Sequence, residues 1–336
     1  MRVWKRHVQL AGKGNVAGNQ DTIFDVAVIG GGPAGLSAGT ALARALRSVV
    51  VIDGGEQRNL GAESVHGFLS REGMRPRDLL AAGREELARY GGTMSSGFVR
   101  TASRDGDRFV LTLDDGSNRV ARRLLIASGI MDELPELPGV ADRWGRDVLY
   151  CPYCHGWEVQ NQRIGVLAAD SHSVRQALTF RQWSPDVTLL LNDALELTQG
   201  QEEQLAARSV HVVEGKVRAL EVRDDRLAGA ALDAGETVPL DVLVVSPATT
   251  SKANMLQRLG LEPAALQDGP GSRLETDESG RTSCPGVWAA GNATDVSAQV
   301  MTAAAAGLRA AEAINADLVL ADTRRAVEAA RVPSRQ

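Results

Sequence analysis

The sequence predicts an α/β protein, and three observations carry that reading. A short apolar run, a glycine-rich turn, a helix and a second apolar run follow one another over residues 23–53. The same strand, helix, strand order returns over residues 163–191, and a further apolar run at 287–292 leads into an alanine-rich stretch. Buried parallel strands joined through helices give this alternation.

The chain has 336 residues, enough for two domains of ordinary size, each with its own core. A hydrophobic content of 43% and a charged content of 24% describe a globular protein, and the 35 glycines suit a backbone that passes close to a ligand in several places. Net charge is −5 with no long run of one sign, so no nucleic-acid or membrane-surface partner is expected. The chain carries neither an apolar run of membrane-spanning length nor the apolar core of a secretory leader, and a cytoplasmic location is expected. Residues 1–22 mix Arg2, Lys5, Arg6, His7 and Lys13 with Gly12, Gly14 and Gly18 without a period, and read as a flexible extension.

Ile23 to Ile29 is the first strand, and Gly30-Gly31-Gly32-Pro33-Ala34-Gly35 follows it directly. Leu36, Leu42 and Leu46 recur at helical spacing, and Ser48 to Asp53 is a second buried strand ending in an acid. Together these make the dinucleotide fingerprint. Gly30 permits the tight turn, Gly32 admits a pyrophosphate, Gly35 lets helix pack on strand, and amides at the helix start, around Pro33 and Ala34, hold phosphates. Asp53 is the candidate acceptor for a ribose.

Residues 54–77 read as a loop, in which Gly54, Arg58, Asn59 and His66 are the candidate ligand contacts, although a lone loop histidine such as His66 is more often solvated or a local hydrogen-bond partner. Asp78 to Tyr90 has the period of an amphipathic helix. Alternating runs at 97–101, 108–114 and 119–127 read as strands, with Asp115-Gly116 as a hairpin turn. The last ends on Ser128-Gly129, small residues that let backbone approach a nucleotide. A second unit follows: a strand at 163–167, a helix at 173–183, a strand at 186–191, alternating strands from 210 to 232 and a buried strand at 240–246. The run at 287–292 also ends on small residues, Gly291 and Asn292, and the helix expected from 298 begins with Gln299 and Val300.

The candidate chemistry lies between the two units, in Cys151-Pro152-Tyr153-Cys154-His155-Gly156. Two cysteines at this spacing close a reversible disulfide, or else pack as small hydrophobes. Cys284 is the third and last cysteine, so neither a four-sulfur zinc site nor a secreted disulfide framework can form, and no metal is expected.

In their order, the Gly30 to Gly35 turn, Ile126 to Gly129, the Cys-x-x-Cys and Gly291 to Val300 resemble the low-molecular-weight thioredoxin reductase family of flavoproteins over residues 23–318. That resemblance implies two Rossmann-like, three-layer ββα nucleotide-binding domains, the second inserted into the first. The FAD domain would comprise 23–143 and 251–318, the inserted domain 144–250, and 319–336 a C-terminal tail, read as helical and then frayed. It also implies a homodimer, Cys154 facing the flavin, Cys151 exchanging with substrate, and Gln299 and Val300 offering amides to the flavin. Asn292 stands where the family usually has aspartate.

The inserted unit departs further. Ala168-Ala169-Asp170-Ser171-His172 replaces the glycine turn that would seat NADPH, and Leu191-Asn192-Asp193 replaces the basic residues for its 2′-phosphate. Side chains fill the phosphate position and one is a carboxylate, so NADPH is not expected as a cofactor. Cys-Pro-Tyr-Cys-His-Gly is similar to the FAD-dependent dithiol oxidases that close disulfides in gliotoxin- and holomycin-type natural products. That likeness implies a small-molecule dithiol as substrate, oxygen as acceptor, and His155, titrating near neutrality, as the proton acceptor. A reductase drawing on NADPH or another donor, and a non-catalytic flavin redox sensor, are the alternative readings.

Overall fold

The computed structural model describes residues 22–252, 254–266 and 271–331. The extension expected at the N-terminus thus lies outside the described residues, apart from Thr22, as do the last five residues of the expected tail.

The first run comprises β1 (Ile23–Ile29), α1 (Pro33–Arg44), β2 (Val49–Asp53), α2 (Pro76–Arg89), β3 (Thr93–Ser96), β4 (Val99–Asp105), β5 (Arg108–Leu113) and β6 (Asn118–Ile126). The second comprises β7 (Ile130–Glu133), α3 (Val140–Arg143), β8 (Val148–Leu149), α4 (Pro152–His155), β9 (Ile164–Leu167), α5 (His172–Phe180), β10 (Val187–Leu190), α6 (Gln199–Ala207) and β11 (His211–Val213). It continues through β12 (Val217–Arg223), β13 (Arg226–Leu232), β14 (Thr237–Pro239), β15 (Val242–Val244) and β16 (Ala248–Ser251). The chain then returns through β17 (Ala264–Ala265), β18 (Ser272–Arg273), β19 (Val287–Ala289) and α7 (Val300–Arg331).

The first sheet runs β3-β2-β1-β6-β5-β4, with β19 also paired to β6. Strand β6 changes partners along its length. Its first half pairs antiparallel with β5, from Asn118 to Ala121, and its second half pairs parallel with β19, from Leu124 to Ile126. One strand therefore carries both the parallel core and the antiparallel layer that covers it. Alternation sorts the side chains: Val26, Val28, Leu125 and Trp288 pack toward α1, α2 and α7, while Ala27, Ile29, Leu124 and Ile126 pack toward the β4–β5 layer.

The second sheet, β11-β10-β9-β15-β8, is parallel throughout. Helix α5 covers one face through Val174, Ala177 and Phe180, and the β12-β13-β14 sheet covers the other through Leu220, Leu227 and Leu232. Between the sheets, the outgoing passage β7 and the returning passage β16 pair antiparallel, from Ile130↔Ser251 to Glu133↔Ala248.

Two expectations needed correction. The strand placed at 97–101 starts later and runs further, as β4 from Val99 to Asp105, and Gly97 with φ +129 separates it from β3, which the sequence did not mark. The helix placed from 298 starts at Val300. It runs unbroken to Arg331, so the tail after 318 is helix as far as it is described, as expected. There Asp322 bonds to Arg47 and Arg122, whose hydrogen bonds hold its carboxyl below the ordinary range, and Arg325 contacts Asp107.

A buried ion pair ties the inserted strands together. Arg143, 4% exposed, forms a two-pronged bond with Asp147, and the same carboxylate accepts the Leu227 amide of β13 at 2.9 Å. Asp147→Ala leaves the guanidinium buried with only the exposed Asp225 beside it, and should lower the unfolding free energy by about 3 kcal/mol, read from the urea midpoint.

Candidate active site

Both strands of the first fingerprint end at one point. The Gly30 amide donates to Ile52 at 2.8 Å, and the Ala127 amide donates to Ile29 at 2.8 Å. Gly30 sits at φ +111, where a Cβ would stand 2.2 Å from the Ala127 carbonyl oxygen. Only glycine allows so close an approach. Gly35 serves packing instead, since its Cβ would lie 1.9 Å from the Gly30 oxygen. Helix α1 then starts with Gly32 at the cap, Pro33 in its first turn and no side-chain cap, which leaves first-turn amides for an anion.

These ends open on a cleft of about 500 Å³. All of the sequence-nominated residues except Gly35 line it: Gly30, Gly32, Pro33, Ala34, Asp53, Gly54, Arg58, Asn59, His66, Ser128, Gly129, Gly291, Asn292, Gln299 and Val300, together with Cys151, Cys154 and His155. Glycine turn and cysteine pair, more than 110 residues apart in sequence, face the same space.

The details refine several assignments. Asp53 already accepts the Gly55 amide at 3.0 Å, Gln57 Nε2 at 2.6 Å and Arg84 at 3.0 Å, so two partners absent from the sequence reading hold its carboxylate in place. Arg58 is bonded through two nitrogens to Asp132 on β7, and its role in the structure is to tie the loop to that strand. Gly54 is glycine because the Phe98 ring lies where its Cβ would be. The Ser128 hydroxyl is buried without a partner, as expected of a group whose partner is a ligand. Asn292 Nδ2 donates to the carbonyls of Asp295, Val296 and Ala298 at 3.0–3.2 Å, and this folds the loop that presents Gln299 and Val300 at the start of α7. A glycine cradle, two helix starts, a held acid and an orphaned buried hydroxyl fit an extended dinucleotide such as FAD.

Cys151 and Cys154 are joined as a disulfide with Cα atoms 5.3 Å apart. Cys151 caps the short helix α4 and Pro152 opens it, an arrangement that turns both sulfurs to one side. Gly156 packs beneath Trp183, whose ring lies 2.7 Å from where a Cβ would stand. His155 is half-buried and its Nδ1 is buried without a partner. Burial lowers its pKa; the Glu158 carboxylate opposes this and nearby His66 adds to it. The expected titration near neutrality is thereby displaced downward, and the ring is a neutral base at neutral pH. His66 lines the cleft, and its hydrogen-bond partners are local on one side only: Nδ1 meets Glu72 at 2.5 Å and Nε2 faces Glu158 at 3.4 Å.

The corresponding turn of the inserted unit is closed. The Ala169 amide donates to Ser173 Oγ at 3.0 Å and the His172 amide to Asp170 Oδ1 at 2.8 Å, so one donor of the turn and the first amide of α5 are taken by nearby side chains. Asn192 accepts the Val217 amide at 2.9 Å, and Asp193, Glu196, Glu202 and Glu214 line an acidic hollow of about 1110 Å³ beside β10.

The sequence profile of the family described as pyridine nucleotide-disulphide oxidoreductase matches residues 24–307. Thioredoxin reductase sirT of Leptosphaeria maculans is 30% identical over 319 residues, covering 90% of this chain and 96% of its own. The crystal structure of HlmI superposes with a TM-score of 0.85 at 45% identity, covering 91% of this chain and 96% of that one. A putative thioredoxin reductase from Bacillus anthracis superposes with a TM-score of 0.82 at 28% identity, over 90% of this chain and 99% of that one. The architecture is that of the low-molecular-weight thioredoxin reductases, and the flavin of such proteins is FAD.

Asn292 supplies a test. An aspartate there would set a carboxylate oxygen against three carbonyl oxygens, so Asn292→Asp should cost about 1–3 kcal/mol and loosen FAD, measured by thermal unfolding and by flavin released on dilution.

Proposed function

Because the chain belongs to the pyridine nucleotide-disulphide oxidoreductase family, as an oxidoreductase of the thioredoxin-reductase-like type, we propose that it oxidises a small-molecule dithiol of natural-product biosynthesis to its disulfide. The observation that carries this reading is the contrast between the two turns: α1 opens uncapped on the disulfide's cleft, whereas in the turn leading into α5 the Ala169 and His172 amides are taken by Ser173 and Asp170. It supports thiols rather than NADPH as the electron source. The partners of this reading are the dithiol, oxygen and a second copy of the chain.

The exchange balances at the cysteines. A substrate thiol gives its proton to His155, its sulfur attacks Cys151, the Cys151–Cys154 bond breaks, and Cys154 leaves as thiolate. The second substrate thiol attacks the substrate sulfur of the mixed disulfide, releasing Cys151 and a second proton. The substrate has then lost two electrons to the cysteine pair. FAD, when bound, supplies the two-electron acceptor that links the pair to oxygen, with hydrogen peroxide as product. Neutral His155 is the group fit to take the first proton, and its burial keeps it in that form to lower pH than an exposed imidazole.

A reductase drawing on NADPH is the second reading, favoured by the names of the relatives. Under anaerobic conditions a small dithiol should bleach the flavin absorbance of wild type, and Cys154→Ser should abolish this; rapid stoichiometric bleaching by NADPH would overturn the oxidase reading. His155→Ala should slow the dithiol reaction by about a hundredfold, and the acid limb of the wild-type pH profile should fall below the ordinary imidazole range.

A further inference from the structure

Each sulfur exchange releases a proton beside a half-buried imidazole, and that proton has to leave. His155 Nδ1 has no protein partner, so the ring cannot pass a proton directly along a hydrogen-bonded chain of its own. Three residues on, Glu158 is 45% exposed at its side chain and faces His66 Nε2 at 3.4 Å. The other ring nitrogen of His66 meets Glu72, which is 65% exposed and whose second oxygen accepts the Gly67 amide at 2.9 Å.

We propose that His66, braced by Glu72, relays protons between the thiol site and bulk water by way of Glu158, as the outer half of an acid–base pair whose inner half is His155. This rests on the reading that dithiols are oxidised at Cys151–Cys154. The arrangement has the parts a relay needs. Glu72 accepts from Nδ1, which orients the ring and turns Nε2 toward Glu158. Hydrogen bonds from His66 and Gly67 lower the Glu72 pKa and keep it an acceptor. The titratable groups facing His66 are Glu72 in its own loop and Glu158 and His155 from the segment around α4. His155 is half-buried, His66 is 24% exposed and the two carboxylates more so, which grades the path from cleft to water. Only protons move, two per turnover, and the same number is taken up when oxygen becomes peroxide. Glu72 is a positioning residue in this scheme.

A relay is distinguished from a structural prop by rescue. The flavin-loaded protein, freed of oxygen, is mixed with dithiothreitol in dilute buffer, then quenched and alkylated, and reduced Cys151 and Cys154 are counted by mass spectrometry. Wild type should react at a rate indifferent to added imidazole. His66→Ala should react about tenfold more slowly, and imidazole should restore most of the rate. His66→Gln, which keeps a donor toward Glu72, should show the same dependence, and Glu158→Gln a weaker one. A His66→Ala rate equal to wild type, or a slow rate that imidazole leaves unchanged, overturns the relay while leaving dithiol oxidation standing. A wild-type disulfide that dithiothreitol does not reduce removes the dithiol reading and the relay with it.

Discussion

The meeting of the Gly30 turn with the end of β6 is the constraint on which the molecule depends. Backbone from two strands and a helix converges within hydrogen-bond distance, and a single Cβ at Gly30 would collide with the Ala127 carbonyl. Because no side chain intervenes, the start of α1 lies open to the cleft, and β6 delivers Ser128 and Gly129 to the same place. The length of β6 matters for this reason: its first half is spent on the covering layer and its second half on the parallel core.

The two units show how one architecture yields opposite surfaces. Each has a strand leading to a helix whose first amides could hold a phosphate. In α1 glycines leave those amides uncovered; in α5 Asp170 and Ser173 bond to the backbone amides of the turn. A carboxylate in that role is an internal anion. It accepts the His172 amide, and the acids beside β10 extend the same sign of charge.

Much of this was legible in the sequence, for identifiable reasons. Strands buried on both faces, such as β1, β2 and β9, are continuous apolar runs and stand out. The Gly30 turn, the cysteine pair and Asp170 are local patterns whose chemistry depends on neighbours in sequence. Strand β3 is Thr-Met-Ser-Ser, with only Ser95 buried, and β7 and β16 are short and polar, so no periodicity marked them. Gln57, Arg84, Glu72 and Glu158 were missed because their importance comes from what faces them across the fold. His66 could be nominated but not assigned, since two carboxylates decide its role and one is 92 positions away.

The paired passages β7 and β16 carry a consequence for how such a chain evolves. Outgoing and returning backbone lie side by side over four residue pairs, so the segment between them is a cassette that leaves and rejoins the host chain at one place. Its contents can be rewritten without disturbing any hydrogen bond of the host sheet. A lineage can therefore retire one coenzyme from the cassette and recruit a new electron source, while the host half goes on gripping its own ligand unchanged.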